Sequence, residues 1–161
     1  MTELEGNPRA PAQGRVALIV SRYNELVTGR LLDGARACLR EYGVPEDRTD
    51  VIWTAGAFEL PAVTAVVAAS GRYGALIVLG CVMRGETPHF EFVAAEVARG
   101  LGAVAREHGM AVGFGVLTTD SPAQAFARAG GEAGNKGYEA ADAALRTADL
   151  LAQLSRAPTG D

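Results

Sequence analysis

Cysteine is scarce: Cys38 and Cys81 are the two in 161 residues, with no CxxC pair and no histidine-rich spacing beside them. That argues against a disulfide framework and against a structural metal, and leaves two free thiols as the expectation. Basic charge is short as well. Fifteen Lys and Arg stand against 19 Asp and Glu, a net charge of −4, and no basic run or stripe occurs. Nucleic acid and anionic membrane surfaces are therefore poor candidates as partners. No apolar run reaches transmembrane length uninterrupted, and the beginning of the chain, with Glu3, Glu5, Pro8 and Pro11, has no signal-peptide core, so a cytoplasmic protein is expected. Two phosphate-binding devices are missing too. There is no GxxxxGK[ST] segment and no GxGxxG after the first predicted strand, which disfavours nucleotide binding by either route.

What is present is apolar and glycine-rich. Hydrophobic residues make up 48% of the chain, enough to fill a core. Glycine occurs 20 times in 161 residues, about 12% against a usual 7%, mostly between apolar segments, which points to tight turns and close backbone approaches. Residues 1–14 and 156–161 read as Gly-, Pro- and Ala-rich tails around a single domain at 15–155.

Within that domain short apolar runs alternate with helical patterns. Val16–Ser21 reads as a strand, followed by a helix carrying Leu26, Leu31, Leu32, Ala35, Leu39 and Tyr42 and stopped by Gly43 and Pro45. Asp50–Thr54 is a second strand and Pro61–Ser70 a helix ended by Gly71. Ala75–Gly80 is a third, continuously apolar strand, and a long helix from about Pro88 to His108 closes at Gly109. Met110–Leu117 is the fourth strand, Ser121 and Pro122 open a short helix to Ala129, and Asn135–Leu154 is the terminal helix. Such alternation predicts an α/β chain: four parallel strands with right-handed crossovers in a three-layer α/β/α sandwich. Ligands of these sheets bind at the carboxyl ends of the strands. Four loops share that rim: SRYNE at 21–25, TAGAFE at 54–59, GCVMRGETPHF at 80–90 and TTDSP at 118–122.

The third loop carries most of the chemistry. Thr87 is placed to cap the following helix, Pro88 to occupy its first position, and Gly85 to let backbone approach a ligand, so free N–H groups and the positive end of the helix dipole form an anion site. His89 stands in the first turn of that helix, where an imidazole is either a plain surface residue or a proton carrier beside the anion. Glu59, in GAFELP at 56–61, is either a dipole-favoured first-turn carboxylate or a ligand for hydroxyls and a heterocycle edge. Tyr23 and Phe58 lie on adjacent loops and are core aromatics or a stacking surface for a planar ring. Cys81 lacks a Cys-His-Asn arrangement and reads as a buried thiol rather than a nucleophile. Arg128 is a phosphate contact or a helix cap, Lys136 a ligand contact or a solvated charge, and His108 complements a helix C-terminus.

SRYNE, GAFELP, GCVMRGETPHFEFV at 80–93, FGVLTTD at 114–120 and RAGGEAGNKGYEAA at 128–141 together resemble the 6,7-dimethyl-8-ribityllumazine synthase family, over roughly residues 15–155. The resemblance implies a flavodoxin-like strand order with an added N-terminal strand as an option. It implies condensation of 5-amino-6-(D-ribitylamino)uracil with 3,4-dihydroxy-2-butanone 4-phosphate, releasing phosphate and water, with no metal and no organic cofactor. On the positions that match, Tyr23 stacks on the pyrimidine, Ala57, Phe58 and Glu59 hold its ribityl chain and polar edge, and Cys81, Val82 and Met83 line the ring pocket. Glu86 and Thr87, through backbone, and Arg128 take the phosphate; His89 is the acid/base. Phe114, Arg128 and Lys136 are expected from a neighbouring subunit, in a pentamer or a shell of twelve pentamers, with riboflavin synthase as a further partner. Tyr23 replaces the more usual Phe or Trp, Met83 an Ile, and Thr54-Ala55 a Val-Pro. The rival readings are a lumazine-dismutating riboflavin synthase and an inert flavin-binding or shell-forming protein.

Overall fold

The computed structural model describes residues 1–156, so the C-terminal tail expected at 156–161 lies outside the described residues except for Arg156. The elements run β1 (Arg15–Ser21), α1 (Glu25–Glu41), β2 (Thr49–Thr54), α2 (Leu60–Ala69), β3 (Tyr73–Met83), α3 (His89–His108), β4 (Val112–Thr119), α4 (Pro122–Arg128), β5 (Ala129–Gly131), β6 (Gly134–Asn135) and α5 (Lys136–Arg156). The first four strands form one parallel sheet in the order β2-β1-β3-β4. With helices on both sides it is the three-layer α/β/α sandwich that the alternation predicts, in flavodoxin-like order.

The two central strands, β1 and β3, are almost continuously apolar because both faces of the sheet are covered there. Val16, Leu18 and Val20 of β1 join Ile77 and Leu79 of β3 in a core under α1 and α5. Ala17 and Ile19 join Leu76 and Val78 in a second core under α2 and α3. Helix ends follow the glycines: Gly43, Gly71 and Gly109 take φ of 73°, 69° and 57°, the left-handed region open to glycine.

Most boundaries differ from the sequence reading by a residue or two, and the differences at the rim matter most. β3 runs through Gly80 to Met83, and β4 is displaced two residues towards its carboxyl end, because the pair continues from Gly80↔Val116 to Met83↔Thr119. Gly80 is inside the strand for lack of room: a Cβ there would lie 3.0 Å from Leu60 and 3.3 Å from the Ser21 hydroxyl. The GGEAGNKG segment at 130–137, read as a loop, holds the small antiparallel pair β5–β6, with Gly130 and Gly134 at positive φ.

The N-terminal residues contain no strand, so the optional added strand is not found, and they are not a loose tail either. The Asn7 N–H donates to Asp149 Oδ2 at 2.9 Å, Arg9 Nε meets Asp149 Oδ1 at 2.7 Å, and Gln153 donates to the Glu5 carbonyl at 2.8 Å, tying this strap to α5. Those donors hold the Asp149 carboxyl well below the usual carboxylate range, Arg9 foremost. A cavity of about 640 Å³ lies beneath the strap and is lined by Arg9, Pro11, Gly74, Gly109, Asp149 and Arg156. Gly74 and Gly109 put it at the amino end of the sheet, opposite the rim.

Helices α1 and α5 approach closely enough to need glycine. A Cβ on Gly137 would collide with the Leu31 carbonyl oxygen, and one on Gly34 with the Asn135 side chain. Asn135 supplies the cap of α5, its Oδ1 accepting from Gly137 N at 2.8 Å and Tyr138 N at 3.1 Å. Gly137→Ala is therefore expected to destabilise the protein. Alanine's helix propensity is worth about 1 kcal/mol, whereas a methyl driven against fixed backbone costs about 1–3 kcal/mol or more. Thermal unfolding should show a lower Tm, and an unchanged or raised Tm would contradict the contact.

Candidate active site

The rim is built by strand register. Ser21 pairs with Thr54 at the ends of β1 and β2, and two further bonds, Arg22 N–H to Thr54 O at 2.9 Å and Tyr23 N–H to Ala55 O at 3.0 Å, carry that alignment into the loops. The last aligned β1–β3 pair is Val20↔Leu79, so Cys81, Val82 and Met83 project beyond the end of β1. Asn24 fills the step. It is the one non-glycine residue at positive φ among the described residues, and its side-chain amide donates to the Cys81 carbonyl at 2.9 Å. Asparagine tolerates that backbone region, and here it pins the first loop to β3. This role was not seen in the sequence, although an Asn just before a helical run was the available sign. Arg22, likewise unassigned, lies over the Trp53 ring at 4.3 Å and pairs with Glu25 at 2.8 Å.

The second loop is braced by Thr54, whose hydroxyl donates to the Gly56 carbonyl at 2.9 Å. Glu59 caps α2 in position but bonds no helix amide with its side chain; its Oε2 would stand 3.1 Å from a Cβ on Gly56, so glycine leaves space for the carboxylate. Ala57 is buried, while Phe58 and Tyr23 are 61% and 73% exposed. Core packing is thereby excluded for both aromatics in this chain, and two ring faces are left at the rim. Cys81 is 2% exposed, and burial pushes its thiol up to about 11, so it is protonated near neutrality and no nucleophile. Val82 is buried beside it and Met83 half-buried.

The third loop leaves the sheet at Arg84, whose N–H donates to the Thr119 carbonyl at 2.8 Å. Helix α3 starts at His89, one residue later than predicted. Pro88 is at the cap with φ −71° and ψ 3°, too far from helical ψ to count as the first turn, and no side chain caps the helix. Thr87 is thus not the cap. The Glu91 N–H donates to the Pro88 carbonyl at 3.0 Å, and no side chain competes for the His89 and Phe90 amides at the helix start. Glu86, Thr87 and His89 are all exposed beside them.

Three expected residues are not gathered with these. Phe114 pairs with Val78 in the middle of the edge strand β4 and is 49% exposed, bordering a shallow apolar groove with Ala98, Leu101 and Ala105. Arg128 ends α4, which leads away from the carboxyl end of β4 for seven residues, about 10 Å; its guanidinium donates to the Gln124 carbonyl at 3.1 Å. Lys136 starts α5 and pairs with Glu139 at 2.7 Å. Its neighbour Asn135 donates to the Arg30 carbonyl, well down α1 from the rim.

The comparisons agree with one another. A family model of 6,7-dimethyl-8-ribityllumazine synthase matches residues 13–152. The chain is 54% identical over 144 residues to the 6,7-dimethyl-8-ribityllumazine synthase of Anaeromyxobacter dehalogenans strain 2CP-C, covering 89% of each chain. It has the same identity and coverage with the enzyme of that name from Anaeromyxobacter sp. strain K. A match along nearly the whole described domain, on the predicted sheet order, means that this chain belongs to the 6,7-dimethyl-8-ribityllumazine synthase family.

Proposed function

We propose that the chain condenses 5-amino-6-(D-ribitylamino)uracil with 3,4-dihydroxy-2-butanone 4-phosphate to give 6,7-dimethyl-8-ribityllumazine, phosphate and two molecules of water, as a transferase of riboflavin biosynthesis. The observation that carries this reading is the uncapped start of α3 with His89 in its first turn, on the same rim as the exposed rings of Tyr23 and Phe58 and the carboxylate of Glu59. Each part suits one demand of the reaction. The amides at Glu86 and Thr87, at the positive end of the helix, suit a phosphate dianion. Tyr23 and Phe58 suit a flat pyrimidine, and Glu59 suits hydroxyl donors of the ribityl chain. Cys81, Val82 and Met83 give the ring an apolar wall. His89 accepts a proton as the amine attacks the ketone and returns it as water leaves to form the imine, and it serves in the same way in phosphate departure and in the ring closure that expels the second water.

Phe114, Arg128 and Lys136 complete the site of a neighbouring subunit, Arg128 meeting its phosphate. Support comes from their positions away from their own rim and from large apolar side chains left in solvent: Leu26 at 80%, Val66 at 72% and Phe92 at 74% exposure. The assembly is a pentamer, with a shell of twelve pentamers as its extension; light scattering that finds a lone pentamer removes the shell. No helix among the described residues is long and apolar enough to cross a membrane. The same reading places the enzyme in the cytoplasm, with riboflavin synthase taking its product. Mixing both substrates with the protein and following product absorbance and fluorescence tests the reading. Lumazine should form; none forming, or riboflavin made from added lumazine, overturns it.

A further inference from the structure

We propose that Arg84 is a positioning residue, a latch that fixes the α3 start loop to the β4–α4 junction and so holds the amides at Glu86 and Thr87 and the His89 imidazole in one arrangement. The inference rests on the reading of the site given above. Since no side chain caps α3, something else must order the five residues between β3 and that helix. The Arg84 guanidinium touches both sides of the gap. Its Nε meets Asp120 Oδ1 at 2.7 Å, one terminal nitrogen lies 3.6 Å from Glu91 Oε1 in the first turn of α3, and its plane is 4.9 Å from the centre of the Phe90 ring. A rigid fork that bonds and stacks at once is a property of arginine and not of lysine.

Asp120 is itself anchored. Its N–H donates to Gln124 Oε1 at 2.8 Å, while the Gln124 N–H donates to the Ser121 hydroxyl at 3.3 Å, a reciprocal cap at the start of α4. The chain of contacts therefore runs from α4 through Asp120 and Arg84 to the turn that carries His89. Both partners are exposed, at 50% and 65%, where ion pairs add little to global stability. The latch acts on geometry, and misplacing a reacting group by an ångström is enough to slow a reaction severely.

A direct phosphate contact would be the other use of this cation, and the two are separated by the sign of one substitution. For the latch, Arg84→Gln and Asp120→Asn each raise the KM for the butanone phosphate and lower kcat, by about tenfold each. The KM for the pyrimidine stays within about twofold, Tm is unchanged, the double variant is no worse than either single one, and Arg84→Lys restores little. For a direct contact, Asp120→Asn removes a competing anion and lowers the KM for the phosphate substrate, while Arg84→Lys largely rescues. That pattern, or unchanged kinetics in both variants, overturns the latch, as does an activity loss that follows a fall in Tm. A wild-type protein that forms no lumazine instead refutes the reading of the site.

Discussion

His89→Ala is expected to slow lumazine formation by about 10²–10⁴-fold, the usual contribution of a positioned acid/base. The side chain is exposed in the first turn of α3 and packs in neither core, so its loss leaves the fold and the α3 amides in place. Binding of the phosphate group should survive for the same reason, because the backbone N–H groups and the helix dipole do not depend on the imidazole. The expected signature is a fall in kcat with a KM for the butanone phosphate changed by only a few-fold, at unchanged Tm and particle size. A turnover within twofold of wild type would remove His89 from the chemistry. A variant that binds neither substrate would instead assign it to the binding surface.

Much of this arrangement was legible in the sequence, and the limits have physical causes. β1 could be read because a strand buried on both faces is a continuous apolar run, and Val16–Ser21 differs from the observed strand only at Arg15. Glycine misled at position 80, where it marks close packing against Leu60 and Ser21 and not a strand end. The same residue type was informative at 43, 71 and 109, where a left-handed helix end requires it. Thr87 was assigned a cap from local preference alone; whether Pro88 lies inside or outside the helix depends on its ψ, which composition does not encode. The helix starts read at Pro88 and Asn135 each fall one residue before the observed starts of α3 and α5. Arg84 and Asn24, by contrast, work through partners 36 and 57 positions away, and short spacing carries no trace of those contacts.

The second large effect concerns where Arg128 acts. Arg128→Ala is expected to raise the KM for the butanone phosphate by about 10–100-fold, the worth of a charge-assisted hydrogen bond of about 1.5–3 kcal/mol. If the residue served its own rim, no mixture of Arg128→Ala and His89→Ala subunits could produce an intact site, because every chain would lack one of the two. If it serves a neighbour, a site is whole wherever an Arg128→Ala chain, with its His89, meets a His89→Ala chain, with its Arg128. In randomly mixed rings that occurs at about one site in four, by the closure of a head-to-tail interface. At butanone phosphate concentrations far below the KM of Arg128→Ala, where neither variant alone turns over appreciably, unfolding the two variants together and refolding them should thus restore about a quarter of wild-type activity, at near wild-type KM. Refolding each alone and then combining them without exchange should restore none. The route of α4 away from its own rim and the placement of Lys136 beside the middle of α1 favour the first outcome. Mixed particles of the correct size that remain inactive would return Arg128 to its own chain and leave the neighbour's contribution without support.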